Sequence, residues 1–145
     1  MVNEIDKVVV FGANGLIGSS FCKFLELNNH DFLAISKSKE NKNKYKNYFS
    51  LDLDNDDVWP QFLIDKIKNY NKIIFLSAVA HKKNIDVLKV NTKIFKNFIS
   101  NIDKLKKSHS LLFISSQDIK FLKRNYAKEA KTFQISYAKS KKICE

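Results

Sequence analysis

Glycine, proline and cysteine are scarce in this chain of 145 residues, which contains three, one and two of them. Two cysteines, one of them next to the C-terminal residue, do not suggest a disulfide framework. No apolar run is long enough to cross a bilayer, and residues 1–4 lack the charged and apolar regions of a secretory signal. We predict no metal site, because the three histidines show no metal-ligand spacing; they are His30, His81 and His109. These absences favour a cytoplasmic protein without a membrane segment.

Arginine is scarce as well, although the formal net charge is +11. Arg124 is the single arginine, and the lysines are spread along the chain rather than clustered. Base readout and bidentate phosphate contacts favour arginine, so this composition argues against nucleic-acid binding. No helix-turn-helix, aromatic platform or zinc pattern accompanies the charge. A basic nucleic-acid-binding protein is therefore the least favoured of the functions considered.

The three glycines all fall in one window, residues 12–18, directly after the apolar run 8–11. A turn that uses glycine in this way is typical of a tight backbone bend, close approach to a ligand and close packing of a helix on a strand. The helix that follows would direct its free N–H groups and positive dipole end at a phosphate. The pattern therefore predicts a nucleotide pyrophosphate site. The alternative is a strand–turn–helix whose glycines serve packing alone.

Apolar runs alternate with amphipathic stretches along the whole chain, which is typical of an α/β fold with a doubly wound parallel sheet. We predict one domain, residues 1–145, and a sheet in the order 3-2-1-4-5 with its ligand crevice at the carboxyl ends of strands one and four. The five strands are expected at 7–12, 31–36, 47–51, 72–78 and 110–116.

Two later helices are predicted from apolar stripes. One carries Trp59, Phe62, Leu63, Ile67 and Tyr70, with Pro60 in its first turn. The other carries Ile85, Leu88, Phe95, Phe98, Ile99 and Ile102. Residues 37–47 are charged and lack such a stripe, so we expect a loop or a short, weakly anchored helix there.

A second group of polar residues lies near the C-terminus. Tyr137 and Lys141 are four residues apart and share a face if this segment is helical, which brings the ammonium close to the phenol. A nearby positive charge lowers a tyrosine pKa, and such a tyrosine can exchange a proton with a substrate hydroxyl or carbonyl. Upstream, Ser115 and Ser116 end the fifth predicted strand beside the expected crevice. An ordinary lysine-rich helix also produces this spacing by chance. The functional interpretation therefore depends on the order of three features along the chain: the glycine turn, the two serines and the tyrosine–lysine pair.

Together these features resemble the extended short-chain dehydrogenase/reductases, and within them the NAD-dependent epimerase/dehydratase family. The resemblance implies a Rossmann-like domain and a Ser–Tyr–Lys proton relay in an enzyme that epimerises, dehydrates or reduces a nucleotide sugar. It implies that Ser116 holds the reacting hydroxyl, that Tyr137 is the acid/base, and that Lys141 binds the nicotinamide ribose and lowers the tyrosine pKa. Asn91 is expected to order this relay.

The same resemblance assigns further cofactor-binding residues. The phosphate-binding turn comprises Gly12, Asn14, Gly15, Leu16, Ile17 and Gly18. Asp52 and Leu53 are expected at the adenine ring, and the segment Leu76, Ser77 and Ala78 along the cofactor. Tyr137 and Lys141 complete the set.

Cofactor choice is expected to depend on the end of the second strand. An acidic residue there would accept hydrogen bonds from the ribose hydroxyls and repel a 2′-phosphate. The chain has Ser36, Lys37 and Ser38 instead, and a cation with two hydroxyls suits a 2′-phosphate. The sequence therefore favours NADP(H) over NAD(H), unless Lys37 is an ordinary solvated lysine.

The chain stops four residues after Lys141, so it lacks the C-terminal substrate domain that the resemblance leads us to expect. Strand five would then lie at an uncovered sheet edge, unless a second copy or another chain covers it. Two functions remain open besides nucleic-acid binding. One is a nucleotide-sugar oxidoreductase for surface polysaccharide synthesis, or its cofactor-binding portion. The other is an inactive NAD(P)-binding module or regulatory remnant.

Overall fold

The computed structural model describes residues 6–40, 44–80, 85–116, 122 and 132–145. The strands are β1 (Val8–Phe11), β2 (Phe32–Ser36), β3 (Tyr48–Ser50), β4 (Lys72–Phe75) and β5 (Ser110–Phe113). The α-helices are α1 (Leu16–Leu27), α2 (Gln61–Ile67), α3 (Val87–Ile102) and α4 (Thr132–Cys144), and a 3-10 turn follows α3 at Asp103–Leu105. His81 and Arg124, named above, lie outside the described residues.

All strand pairs are parallel, and the strands form one sheet in the order β3-β2-β1-β4-β5. The predicted Rossmann-like α/β fold and strand order are thus confirmed. The strands are shorter than predicted, and the largest differences are at the ends of β4 and β5, which start as expected but stop three residues early at Phe75 and Phe113. β1, β2 and β3 also start one residue late, although the preceding residue still bonds a neighbouring strand: Ala34 N–H donates to the Asn47 carbonyl at 2.9 Å, one residue before β3 begins.

Alternate residues of β1 enter two different hydrophobic cores. Val9 and Phe11 pack with α2 and α3, whereas Val8 and Val10 pack with α1. Successive side chains of a strand point to opposite faces, so a fully apolar strand indicates a sheet covered on both sides. β1 is therefore the centre of the doubly wound fold.

The helix expected around Pro60 begins later than the apolar stripe suggested. Pro60 is the N-cap residue of α2, so Trp59 lies before the helix, although it is only 2% exposed. Phe62, assigned to the buried stripe, is 61% exposed, while Ile64 is buried in its place. The proline fixes the start of the helix, and within the helix the predicted Leu63 and Ile67 are buried, so Phe62 alone departs from the predicted stripe.

α3 buries part of the predicted apolar stripe, with Phe98 buried and Phe95 and Ile102 packed against the core, but its buried face also includes residues outside the stripe. Its buried residues are Val87, Asn91, Ile94, Phe98 and Asn101, whereas Ile99 is 39% exposed. Each buried asparagine is satisfied by a loop: Asn101 accepts from Trp59 N–H at 3.1 Å and donates to the Asp57 carbonyl at 2.9 Å. The asparagines therefore hold the loops that precede α2 and follow β4.

The segment 37–47 contains turns and bends and no helix in its described residues, 37–40 and 44–47. Although it lacks an apolar stripe, Tyr45 anchors it: the ring is buried against Phe32 and its hydroxyl donates to the Ala13 carbonyl at 3.3 Å.

β5 forms one end of the sheet, as expected, and its residues Leu111 and Leu112 are 45% and 52% exposed. α4 packs against α3. None of the helices in the described ranges is long and apolar enough to span a bilayer.

Candidate functional site

Two of the three glycines are required by the fold itself. Gly12 has φ +85°, and a Cβ there would lie 2.8 Å from both Leu76 C and Ser77 N. A Cβ on Gly18 would lie 2.1 Å from the Gly12 carbonyl oxygen. The first glycine lets the turn bend against the end of β4, and the second lets α1 pack closely on that turn.

Gly15 differs, because a side chain there would crowd a single atom and the backbone conformation does not require glycine. It is the N-cap of α1 with φ −70° and ψ 172°, a conformation open to any residue. A Cβ there would meet the Gly12 carbonyl oxygen at a tight 3.3 Å and no other atom of the described residues within 4 Å. The next two side chains, Leu16 and Ile17, are 89% and 58% exposed.

The N-terminus of α1 has no side-chain cap and no acidic residue in its first turn. Its first amides therefore keep their donor capacity, and the helix dipole places partial positive charge at this point. A phosphate fits such a cradle, because Gly15 leaves the approach open.

This cradle opens into a crevice of about 400 Å³ at the carboxyl ends of β1 to β4. Ten predicted cofactor-binding residues line it: Gly12, Asn14, Gly15, Ser36, Lys37, Asp52, Leu53, Leu76, Ser77 and Ala78. Leu16, Ile17 and Gly18 belong to the adjoining helix turn. Sequence reasoning missed further lining residues, namely Ile35, Leu51, Asp54, Val79 and Ile94.

A small hydrogen-bond network fixes the end of β2 beside the cradle. Asn14 Nδ2 donates to Ser36 Oγ at 2.5 Å, and Ser36 Oγ also bonds the Tyr48 hydroxyl at 2.8 Å. That hydroxyl further donates to the Ser38 carbonyl at 2.5 Å. Asn14 Oδ1 is buried and has no hydrogen-bond partner among the described residues, and it lies on a residue that lines the crevice. Tyr48 was missed, because a tyrosine at a strand start carries no signal of its own.

Lys37 and Asp52 form an ion pair on the wall of the crevice. Lys37 Nζ lies 2.8 Å from Asp52 Oδ2. The hydrogen bond to Asp52 raises the pKa of Lys37 above its ordinary value. Burial works to raise the pKa of Asp52, but hydrogen bonds from Lys37, Asn55 and the Asp54 backbone outweigh it, so the net pKa is lowered.

Lys141 is drawn into the protein at the carboxyl end of β5. It is 5% exposed, and its Nζ donates to the Ile114 carbonyl at 2.8 Å. The ammonium lies 4.9 Å from the centre of the Phe113 ring and 5.7 Å from that of Tyr137. Burial lowers the pKa of Lys141. The predicted tyrosine and lysine are thus neighbours on α4. Lys141 contacts Ile114, which lies two residues before Ser116 in the chain.

Asn91 connects the loop after β4 to α4. Its Oδ1 accepts from Val79 N–H at 2.7 Å, and its Nδ2 donates to the Val79 carbonyl at 2.9 Å and to Ser140 Oγ at 3.1 Å. Ser140 Oγ donates in turn to the Tyr137 carbonyl at 2.7 Å. Asn91 therefore reaches the tyrosine through the helix backbone.

The two serines after β5 are in different surroundings. Ser115 is exposed, and its hydroxyl donates to the Glu145 carboxylate. This bond and one from Lys142 lower the pKa of Glu145. Ser116, the predicted catalytic serine, is partly buried. The catalytic roles of Ser116, Tyr137, Lys141 and Asn91 stay predictions.

No group of three or more histidine, cysteine, aspartate or glutamate side chains suited to a metal occurs among the described residues. Cys22 and Cys144 are buried free thiols, and burial raises the pKa of Cys22 to about 11.

A parallel sheet with a glycine turn and a crevice at its carboxyl edge defines a Rossmann-like nucleotide-binding fold. The model of the NAD dependent epimerase/dehydratase family matches residues 8–138, and the chain belongs to this family. No curated protein gave a significant match.

Solved structures share the fold at low sequence identity. Yeast methylglyoxal/isovaleraldehyde reductase Gre2, complexed with NADPH, matches with a TM-score of 0.71 and 17% identity over 95% of this chain and 50% of its own. The Bordetella bronchiseptica enzyme WbmG, complexed with NAD, matches with a TM-score of 0.66 and 12% identity over 99% of this chain and 51% of its own. The UDP-glucose 4-epimerase of Thermotoga maritima, with UDP-glucose, has a TM-score of 0.58 and 15% identity over 78% of this chain and 38% of its own. The chain thus spans about half or less of these three proteins.

Proposed function

We propose that the chain binds a nicotinamide dinucleotide in the crevice and forms the cofactor-binding part of an oxidoreductase that acts on a nucleotide sugar. The observation that carries the proposal is Gly15: an added Cβ would meet only one protein atom, the residue is the N-cap of a helix that has no side-chain cap, and it lines the crevice. A glycine whose conformation any residue could adopt, placed at the positive end of a helix, suits the close approach of a diphosphate.

The chain's own residues divide into two groups in this proposal. The α1 amides and Asn14 hold the diphosphate end, and Leu53 with Ala78 supplies apolar wall. Ser116 holds the reacting hydroxyl, Tyr137 transfers its proton, and Lys141 keeps positive charge near the phenol. The bound nicotinamide would supply hydride transfer. Family membership supports these roles, and the UDP-glucose in the Thermotoga maritima epimerase supports a nucleotide sugar as substrate.

We favour NADP(H) over NAD(H). Lys37 lines the crevice between two serines at the end of β2, and no carboxylate occupies residues 36–38. Lys37→Glu should therefore weaken NADP(H) binding selectively, and equal losses for both cofactors would contradict the preference. We propose that the protein acts in the cytoplasm, in surface polysaccharide synthesis. We also propose that a second copy or a partner chain covers the β5 edge.

The alternative is a cofactor-binding module without turnover. The burial of Lys141 favours it, because the side chain is only 5% exposed and already donates to the Ile114 carbonyl, which limits the access of a ribose to the ammonium. It predicts dinucleotide binding without conversion of added UDP-glucose to any product.

Calorimetric titration of NADH and NADPH tests the central proposal on three chains: wild type, Gly15→Ala and Gly15→Val. Wild type should bind at least one cofactor. The alanine should weaken binding severalfold, and the valine, whose two extra methyl groups project from the same Cβ, by tenfold or more. Thermal unfolding of each variant controls for the fold. Absence of binding by wild type, or equal binding by all three folded chains, would overturn the proposal.

A further inference from the structure

The Lys37–Asp52 pair joins two residues that the sequence assigned to separate tasks. Lys37 was expected to face a 2′-phosphate and Asp52 the adenine ring, yet their side chains meet at 2.8 Å on the crevice wall. The cation that favours NADP(H) is therefore already bound to an anion of the protein.

The two partners differ in how firmly they are held. The Asp52 carboxylate accepts from Asp54 N–H at 3.1 Å and from Asn55 Nδ2 at 2.8 Å, and its own N–H donates to Asp56 at 2.7 Å. Its side chain is 22% exposed, whereas that of Lys37 is 70% exposed. The carboxylate is thus fixed by its turn, and the lysine is the partner that is free to move.

The backbone of Lys37 is also fixed, so its ammonium can move only by rotation of the side chain. Ser50 Oγ donates to the Lys37 carbonyl at 3.1 Å, and Leu51 N–H donates to the Ser36 carbonyl at 2.9 Å. Asp54 and Asp56 act electrostatically on the same ammonium. An incoming phosphate would therefore meet one cation among several carboxylates, and it would have to take that cation from Asp52.

We propose, on the basis of the dinucleotide site proposed above, that Asp52 competes with the 2′-phosphate of NADP(H) for the Lys37 ammonium and so limits selectivity against NAD(H). Asp52 is then a selectivity-determining residue as well as a wall of the site. NAD(H), which has no 2′-phosphate, leaves the ion pair in place.

The test is a cycle of wild type, Asp52→Asn, Lys37→Gln and the double variant, each titrated calorimetrically with NADPH and NADH. Exposed ion pairs are weak, so Asp52→Asn should raise NADPH affinity by about threefold to fivefold. NADH affinity should change by less than about twofold. In the Lys37→Gln background the gain for NADPH should vanish, because there is no ammonium left to release.

Asp54→Asn is the matched control, since it removes the same charge two residues away and leaves the Lys37–Asp52 bond intact. Its partner is Lys93, at 3.7 Å. It should change the NADPH-to-NADH affinity ratio by less than about twofold. If Asp54→Asn raised NADPH affinity as much as Asp52→Asn does, the cause would be the general loss of negative charge rather than competition for Lys37. This result would overturn the proposal.

Two other results would also overturn it. The first is an equal loss of NADPH and NADH affinity in Asp52→Asn, as expected from loss of an adenine contact. The second is a gain in NADPH affinity from Asp52→Asn that persists in the Lys37→Gln background. Asp52→Ser, whose hydroxyl still accepts a hydrogen bond, replaces the asparagine variant if that chain does not fold. Failure of the dinucleotide site itself is distinct, because wild type then binds neither NADH nor NADPH.

Discussion

Replacement of Gly18 by alanine tests the close packing of α1 on the glycine turn. Position 18 is the third residue of α1 and has helical surroundings. Alanine is the better helix former by about 1 kcal/mol, so an uncrowded site would be stabilised by the change. The added Cβ, however, would lie 2.1 Å from the Gly12 carbonyl oxygen, 2.9 Å from Gly12 C and 3.0 Å from Ala13 Cα.

These three neighbours are backbone atoms, so no side-chain rotation relieves the clash. The turn is also fixed at its start, since Gly12 and Ala13 N–H donate to the Ile35 carbonyl at 2.9 and 3.1 Å. Helix α1 would have to move away from β1, which loosens the contacts of the fully buried Cys22. Overpacking of this kind costs about 3 kcal/mol, which outweighs the helix-propensity gain and leaves a net loss of about 2 kcal/mol.

The assay is urea unfolding of wild type, Gly18→Ala and Gly15→Ala, followed by circular dichroism. Gly15→Ala is the matched control, because its Cβ meets a single atom at 3.3 Å, and we expect it to cost about 1 kcal/mol or less. A Gly18→Ala chain as stable as wild type, or more stable, would refute the close packing described here. The sign of the change decides the question.

Two further predictions concern the core and the buried lysine. Phe98→Ala should lower the free energy of unfolding by about 3–5 kcal/mol in urea titrations, because the ring is fully buried with its centroid 4.3 Å from that of Phe75 and 5.0 Å from that of Phe11. Replacement of the half-exposed Phe24 by alanine should cost far less, and equal losses in the two variants would contradict the assigned core. Lys141 has a lowered pKa in the folded chain, so between that value and 10.5 the unfolded chain binds more protons and stability gains a contribution that grows with pH. Lys141→Met should lack this contribution, which the difference in urea midpoints between about pH 8 and pH 10 measures; an identical pH response in both chains would speak against the buried charge.

The fold could be predicted from the sequence because its signals are local. Short apolar runs separated by amphipathic stretches indicate alternating strands and helices, and three glycines in one turn place the first strand at the ligand edge. The element bounds were less accurate. Helix α2 begins after Pro60, later than the apolar stripe that included Trp59 indicated, because hydrophobic spacing alone does not locate a helix cap.

The site was predictable where backbone geometry defines it and less so where side chains meet. Ten of the crevice residues follow from their positions at strand ends. The Lys37–Asp52 pair does not, because it depends on the directions of two side chains at the ends of different strands. Asn101 was missed for a related reason: a polar residue on a helix is expected in solvent, unless the loop that satisfies it is known.

The side-chain amides of Asn91 and Asn101 have a consequence for the spacing of the two loops that they hold. Asn91 holds the loop after β4, and Asn101 holds the loop before α2, so one rigid rod spans both attachments. At 1.5 Å per residue, their separation of ten positions corresponds to about 15 Å along the axis. That length is set by helix geometry, so a deletion within α3 would alter the distance between the two loops.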